Sequence, residues 1–391
     1  MVHRSSNKKE SSLLPACVSN IEYRISNIEL HQSEIRFSFM SSSDSLLVEY
    51  QDACVYRSDL ALLESNTAWL NDACLHFQMT RLQQRTQPPP PPSAAAAKDG
   101  LMPRIVCIDP SVVSFFMHQL SFQDKDDIDE MKTLCQSWGL PLLQQDREIA
   151  NNETPVLLLL LPINDNHGAS SLSFQTPGSG THWSLLVCAI YVPQQGQDHD
   201  ENDKGCVFFH FDSSKGYNAP TAKRVANKLK KMYLIYQQEE VQGESASSSE
   251  DMAMNGATSS MLHDHVFECQ TPQQTNGYDC GVCTLCNAQA IINTCACQND
   301  NDDWWARITC TRSRFLLQSD SFKEKEASYK KESEDSSSIT THTSFVLDFK
   351  QMLEGAVLEF SKRFGGTNAM CNSTRQSIAS DIRSLHISSE G

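Results

Sequence analysis

Three short stretches of this 391-residue chain concentrate side chains able to do chemistry: Thr181-His182-Trp183-Ser184, His210-Phe211-Asp212-Ser213, and the run from Gln273 to Gly281. A cysteine acts as a nucleophile when a base lies within hydrogen-bond reach and a third group fixes that base's tautomer. Cys280, His182 and Asp212 supply the three types. Acyl transfer also needs donors aimed at the developing oxyanion, and the side-chain amide of Gln274 can join the Cys280 backbone N–H in that role. Any one of these motifs alone is more often structural than catalytic; their joint presence points to acyl transfer. His210 is a second candidate base, although its setting, Val-Phe-Phe-His-Phe, suits a hydrogen-bonded sheet histidine. Asp279 suits shaping the turn before Cys280 rather than moving a proton. Cys280, Cys283 and Cys286 have a spacing that can ligate zinc or an iron–sulfur cluster. On a helix that stripe would pack inward, and a metal-bound thiolate would be lost as a nucleophile, so we expect neither metal nor cofactor.

Elements must bring these residues together. The apolar run 156–161 reads as a fully buried strand, 184–191 and 206–211 as two more, and Val266-Phe267 as a short fourth, which implies a central sheet. His182 begins a strand and Asp212 ends the next. Cys280 opens a helix to about Ile292, whose N-terminal N–H groups and partial positive charge stabilise a thiolate. Apolar residues at helical spacing mark further helices: Leu75 and Met79 after Asn71-Asp72; Val112, Phe115 and Phe116; Ile128, Met131 and Leu134; and Val225, Leu229, Met232 and Tyr233 after Pro220. Another covers 344–364, with Phe345, Phe349, Leu353, Ala356 and Phe360 on one face and Gly365-Gly366 as its stop.

Composition narrows the function. With 48 acidic against 32 basic residues the formal charge is −16, which argues against holding nucleic-acid phosphates or an anionic membrane and favours a basic partner. The longest strongly apolar run, 156–162, is far short of the ~20 residues that span a bilayer. The stretch 13–18 is too short and interrupted for a signal peptide, so we read the protein as intracellular, cytoplasmic and/or nuclear. Fifteen cysteines, an odd number, in a chain large enough not to need stapling read as mostly buried, reduced thiols.

The ordered wording Trp69-Leu70-Asn71-Asp72, Ile163-Asn164-Asp165-Asn166, Thr181-His182-Trp183-Ser184-Leu185-Leu186-Val187, Phe209-His210-Phe211-Asp212-Ser213 and Pro272-Gln273-Gln274 through Asp279-Cys280-Gly281 resembles the sentrin-specific, Ulp-type cysteine proteases. Within them it is most similar to the deneddylase branch. The resemblance covers about 44–292 together with the helix at 344–364. It implies an α+β, papain-like fold with a central mixed sheet flanked by helices. It also implies a peptidase and isopeptidase that cleaves after the C-terminal Gly-Gly of a ubiquitin-like modifier, of the Nedd type, maturing its precursor and releasing it from targets such as cullins. A SUMO or ubiquitin protease is the alternative within the family, and an inactive modifier-binding module the alternative outside it.

By the same resemblance Cys280 is the nucleophile, His182 the general base and then acid, Asp212 the orienting carboxylate and Gln274 the oxyanion donor. Trp69 and Trp183 would roof a tunnel that admits only Gly-Gly. Asp72 would face an arginine of the modifier, although Asn71-Asp72 is also an ordinary helix-capping pattern. Asn164, Asp165 and Asn166 would contact substrate, and the Gly/Ser-rich segment 166–180 would close over it. The expected organisation is a disordered extension over 1–43 and a monomeric protease core over 44–296, with insertions at about 84–100, where five prolines run together, and at 237–262, which is acidic and serine-rich. A low-complexity insertion at 297–343, the closing helix at 344–364 and a disordered tail at 365–391 complete it.

Overall fold

The computed structural model describes residues 44–86, 103–122, 124–142, 156–168, 180–191, 205–243, 266–296 and 339–390. The extension, the proline run, segment 169–179 and most of the acidic and low-complexity insertions lie outside these residues.

A five-stranded mixed sheet runs through the centre, in the spatial order β3 (Arg104–Cys107), β4 (Val156–Asn164), β5 (Trp183–Tyr191), β6 (Cys206–Phe211), β7 (Val266–Cys269). The inner pairs β4–β5 and β5–β6 are antiparallel, and the outer pairs β3–β4 and β6–β7 are parallel. Every residue of β4 and of β5 is buried, the signature of a sheet covered on both faces. The alternation of side chains splits these strands between two cores. Leu158, Leu160, Leu185, Val187 and Phe209 face one way, and Leu157, Leu159, Leu186, Cys188 and Phe208 the other. The result is an α+β fold with helices on both sides of the sheet.

The second face carries α3 (Pro110–His118), α4 (Lys125–Ser137) and α5 (Ala219–Gly243). Asp109 caps α3 by accepting from Ser111 N at 2.8 Å, with Pro110 at its first position, and Asp124 caps α4 by accepting from Asp127 N. On α5 the stripe Val225, Leu229, Met232 and Tyr233 is buried as its spacing predicts.

The first face carries α2 (Asp72–Thr86), α6 (Cys280–Ala296), α7 (Ile339–Arg363) and α8 (Thr367–Glu390). A hairpin of β1 (Leu46–Tyr50) and β2 (Ala53–Tyr56), followed by α1 (Arg57–Glu64), precedes them. Four helices overrun the expected boundaries: α2 reaches Thr86, α5 reaches Gly243, α6 reaches Ala296, and α7 starts at Ile339.

The tail requires a correction. Residues 365–391 were expected to be disordered, yet after the left-handed Gly365 and Gly366, with φ of 80° and 118°, the chain forms α8. Cys371, Arg375, Ile378, Ala379 and Ile382 lie on its buried face. The stripe has helical spacing, but a cation occupies its middle and serines surround it, so it does not read as amphipathic.

Candidate active site

The antiparallel register Leu185↔Phe211 sets the start of β5 beside the end of β6. His182, one residue before β5, and Asp212, one residue after β6, therefore meet. His182 Nε2–H donates to Asp212 Oδ1 at 2.5 Å, and both side chains are buried. Cys280 opens α6, which packs on β5. Its side chain lies close enough to the His182 ring to raise that ring's pKa, and with Nε2 committed to Asp212 the nitrogen left to face the thiol is Nδ1. Burial would lower the pKa of His182, but its interactions with Asp212 and Cys280 outweigh it and raise the pKa to about 9. The ring is therefore an imidazolium at neutral pH. Burial pushes the Asp212 carboxyl up, yet His182 and the backbone N–H groups of Asn218 (2.9 Å) and Ser214 (2.8 Å) hold it below the usual carboxylate range.

The loop before Cys280 is built from its own amides. Gln274 N donates to Ser213 O at 3.0 Å, and Ser213 Oγ donates to Gln274 Oε1 at 2.8 Å. That second bond fixes which way the amide turns. Its NH2 is left as the donor end, and one of the two hydrogens goes to Asn276 O at 2.7 Å. Gln273 Nε2 donates to Asp212 O at 3.0 Å, so the tandem glutamines tie this loop to the end of β6. Asn276 Oδ1 accepts from Tyr278 N and Asp279 N and closes the turn, and Asp279 O accepts the first helical bond of α6 from Cys283 N. A Cβ at Gly281 would lie 3.2 Å from Leu70 Cβ, 3.4 Å from Leu75 and 3.5 Å from Trp183, so α6 approaches the Trp69 segment as closely as it does because that position lacks a side chain.

A family model described as the Ulp1 protease family, C-terminal catalytic domain, matches residues 68–313. The chain belongs to the Ulp1 protease family. Among curated proteins it is similar to a probable sentrin-specific protease 8 of Dictyostelium discoideum, 25% identical over 260 residues, 66% of this chain and 80% of that one. It is also similar to NEDD8-specific protease 1 of Arabidopsis thaliana, 26% identical over 278 residues, 68% of this chain and 86% of that one. Among solved structures it is similar to a de-sumoylating protease, with a TM-score of 0.41 and 14% identity over 89% of this chain and 93% of that one.

In this Ulp1-family cysteine protease the remaining expected site residues fall into two groups. Trp69, 44% exposed, and Asp72, exposed in the first turn of α2, face solvent beside the site. The capping reading of Asn71-Asp72 belongs to Asn71, whose Oδ1 accepts from Cys74 N at 3.1 Å. Trp183 is only 6% exposed and donates from Nε1 to Leu70 O at 3.2 Å, which pins the Trp69 segment to β5.

In the Asn164-Asp165-Asn166 corner Asp165 and Asn166 are half-buried. Asn164 is buried, and its Oδ1 accepts from Asn166 N at 3.0 Å. Asp165 takes Thr181 N at 2.7 Å, Thr181 Oγ1 at 2.6 Å and His182 N at 3.2 Å, so its carboxylate holds the backbone of the base.

His210 is a satisfied sheet histidine, bonded to Glu268 through Nδ1 and to Ser184 Oγ through Nε2. Sequence reasoning missed Ser213, Asn218, His167 and Tyr217. His167 is buried between Ser114 Oγ and Asn164 N, set edge-on to Trp183, and burial together with nearby His118 drives its pKa down to about 3. Tyr217, 56% exposed, sits edge-on to the His182 ring with centroids 5.0 Å apart. Ser213, next to Asp212, and His167, next to Asn166, adjoined residues singled out in the sequence; Asn218 and Tyr217 did not.

Proposed function

We propose that this protease cleaves the bond after the C-terminal Gly-Gly of a ubiquitin-like modifier of the Nedd type, maturing the precursor and releasing the modifier from lysines of targets such as cullins. The observation that carries it is the buried His182–Asp212 hydrogen bond set beside Cys280 at a helix N-terminus. The names of the sentrin-specific and NEDD8-specific relatives support the choice of modifier.

In the proposed reaction the Cys280 thiolate attacks the glycine carbonyl, and Gln274 Nε2 and the Cys280 backbone N–H receive the oxyanion. His182 gives its proton to the leaving amine, which departs and leaves a thioester. Neutral His182 then takes a proton from water as the water attacks the thioester, and release of the glycine carboxylate restores the ion pair. In that reaction Trp69 and Trp183 would roof a slot beside Cys280 that suits two residues without side chains.

The test is a panel of modifiers carrying C-terminal electrophiles, with Cys280→Ala as control. Labelling of the wild type by the Nedd-type probe ahead of SUMO and ubiquitin, together with a Cys280→Ala protein that binds the modifier but turns over at least ~10⁴-fold more slowly, is the expected result. Preferential labelling by SUMO overturns the choice of modifier, and retained hydrolysis by Cys280→Ala overturns the choice of nucleophile.

A further inference from the structure

Arg375, on α8, is the largest fully buried side chain among the described residues, with 1% of its surface exposed. It lies outside the 68–313 segment that matches the family. Its neighbours on the same stripe, Cys371, Ile378 and Ile382, are apolar and fully packed, so filling that space required no charge. Removing a guanidinium from water costs several kcal/mol unless its N–H groups all find acceptors.

Here they do. Nε and Nη2 donate to Asp279 Oδ1 at 3.2 and 2.9 Å, Nη1 donates to Leu62 O at 3.1 Å and Ser65 O at 3.2 Å, and Nη2 also reaches Ala68 O at 2.7 Å and Tyr278 O at 3.4 Å. These acceptors come from two places. Leu62 and Ser65 are at the C-terminal end of α1, where carbonyls lack helical partners and the dipole favours a cation, and Ala68 is followed at once by Trp69. Tyr278 and Asp279 are followed at once by Cys280.

We propose that Arg375 is a positioning residue of the proteolytic site. One rigid planar fork fixes the separation between the segment that presents Trp69 and the loop that presents Cys280, and so sets the width and register of the slot between them. The inference rests on the proposed reaction at Cys280 and extends it to a residue that touches neither substrate nor thiol. Two neighbouring bonds from the same helix support the docking: Asn368 Oδ1 accepts from Thr275 Oγ1 at 2.8 Å, next to Gln274, and Cys371 Sγ lies 3.5 Å from Cys283 Sγ on α6.

Arg375→Lys keeps the charge but replaces the fork by a point donor, and Arg375→Met keeps the stem and extends the apolar stripe. Each full-length variant is melted, its active sites are titrated with the modifier electrophile, and kcat and KM are measured on a modifier C-terminal fusion. The expected result for the folded variants is a fall in kcat per titrated site of about tenfold or more, because small misplacements of reacting groups carry large rate losses, with KM, set by the body of the modifier, within roughly threefold of wild type. A role confined to stability would reduce the number of titratable sites and leave kcat per site unchanged, and that outcome overturns the proposal. Should both variants fail to fold, Asp279→Asn decides: it weakens the same fork from the other side, and an unchanged kcat per site overturns the proposal. Failure of the wild type to label falls instead on the choice of modifier, which the other probes of the panel then replace as titrant.

Discussion

At the scale of single residues the site is a set of donors and acceptors each held by a second group. Ser213 sets the Gln274 amide, Asn218 and Ser214 hold Asp212, and Asp165 holds the backbone of His182. Gln274→Ala should therefore lower kcat by about 10²–10³, the range for an oxyanion donor. Ser213→Ala should cost less but in the same direction, since it leaves the amide free to turn; matched kinetics of the two variants check this.

The protonated state of His182 gives a pH prediction. Its pKa rises from 6.5 to about 9 on folding, so the stability that its bonds contribute is complete below about 6.5 and is lost as the pH climbs through about 9. In the proposed reaction the same deprotonation removes the acid that protonates the leaving amine. Activity should fall on the alkaline side with a midpoint near 9, and in Asp212→Asn that midpoint should move to lower pH. A pH–rate profile of kcat/KM reads both. Cys280, His182, Asp212 and Gln274 were legible in the sequence because their chemistry demands particular side chains at the ends of elements. Ser213, Asn218 and Arg375 were not: the first two act through hydrogen bonds that only the turn after β6 creates, and the third lies 96 residues from Asp279.

At the scale of elements, legibility followed apolar length. The strands β4, β5 and β6 announce themselves as continuous runs. By contrast β3 is four residues, Arg-Ile-Val-Cys, and becomes a strand because β4 lies in register beside it. Its outer backbone is covered by one side chain, Gln83, which donates to Ile105 O and accepts from Cys107 N, a way of closing a sheet edge that no local pattern reveals. The β1–β2 hairpin was missed for the same reason, its turn being carried by Gln51 at φ 58° rather than by a glycine.

Two substitutions probe this level. Gly180 lies where a Cβ would come within 1.6 Å of Asn164 Oδ1, so Gly180→Ala should push apart the β4 corner and the approach to His182. A loss of about 1–3 kcal/mol in denaturant unfolding, with reduced kcat/KM, is expected. Phe349, fully buried on α7 and 5.5 Å from the Phe209 ring, should cost about 3–5 kcal/mol when changed to Ala, read as a lower midpoint with unchanged slope.

At the scale of the whole molecule, α8 joins distant parts of the chain. Arg383 pairs with Glu64 at 2.5 Å, Asp381 pairs with Arg81, and the His386 ring bonds Leu47 O at 3.0 Å across 339 residues of sequence. A protein ending at Gly366 would expose the apolar partners of α8 on α6 and the hairpin. It should lose cooperative melting, followed by circular dichroism, together with labelling by the modifier electrophile, even though everything in the family-matched segment is intact. The arrangement also bears on synthesis. Translation runs at roughly 5–20 residues per second, so the sheet and the Cys280 helix are complete seconds before Arg375 has been made. Contacts of such long sequence separation are slow to form. On the proposed role of Arg375, a ribosome translating this message carries a chain whose Cys280 has been made well before the residue that positions it, and cleavage of a modifier by newly made chains should begin only once α8 has folded back across them.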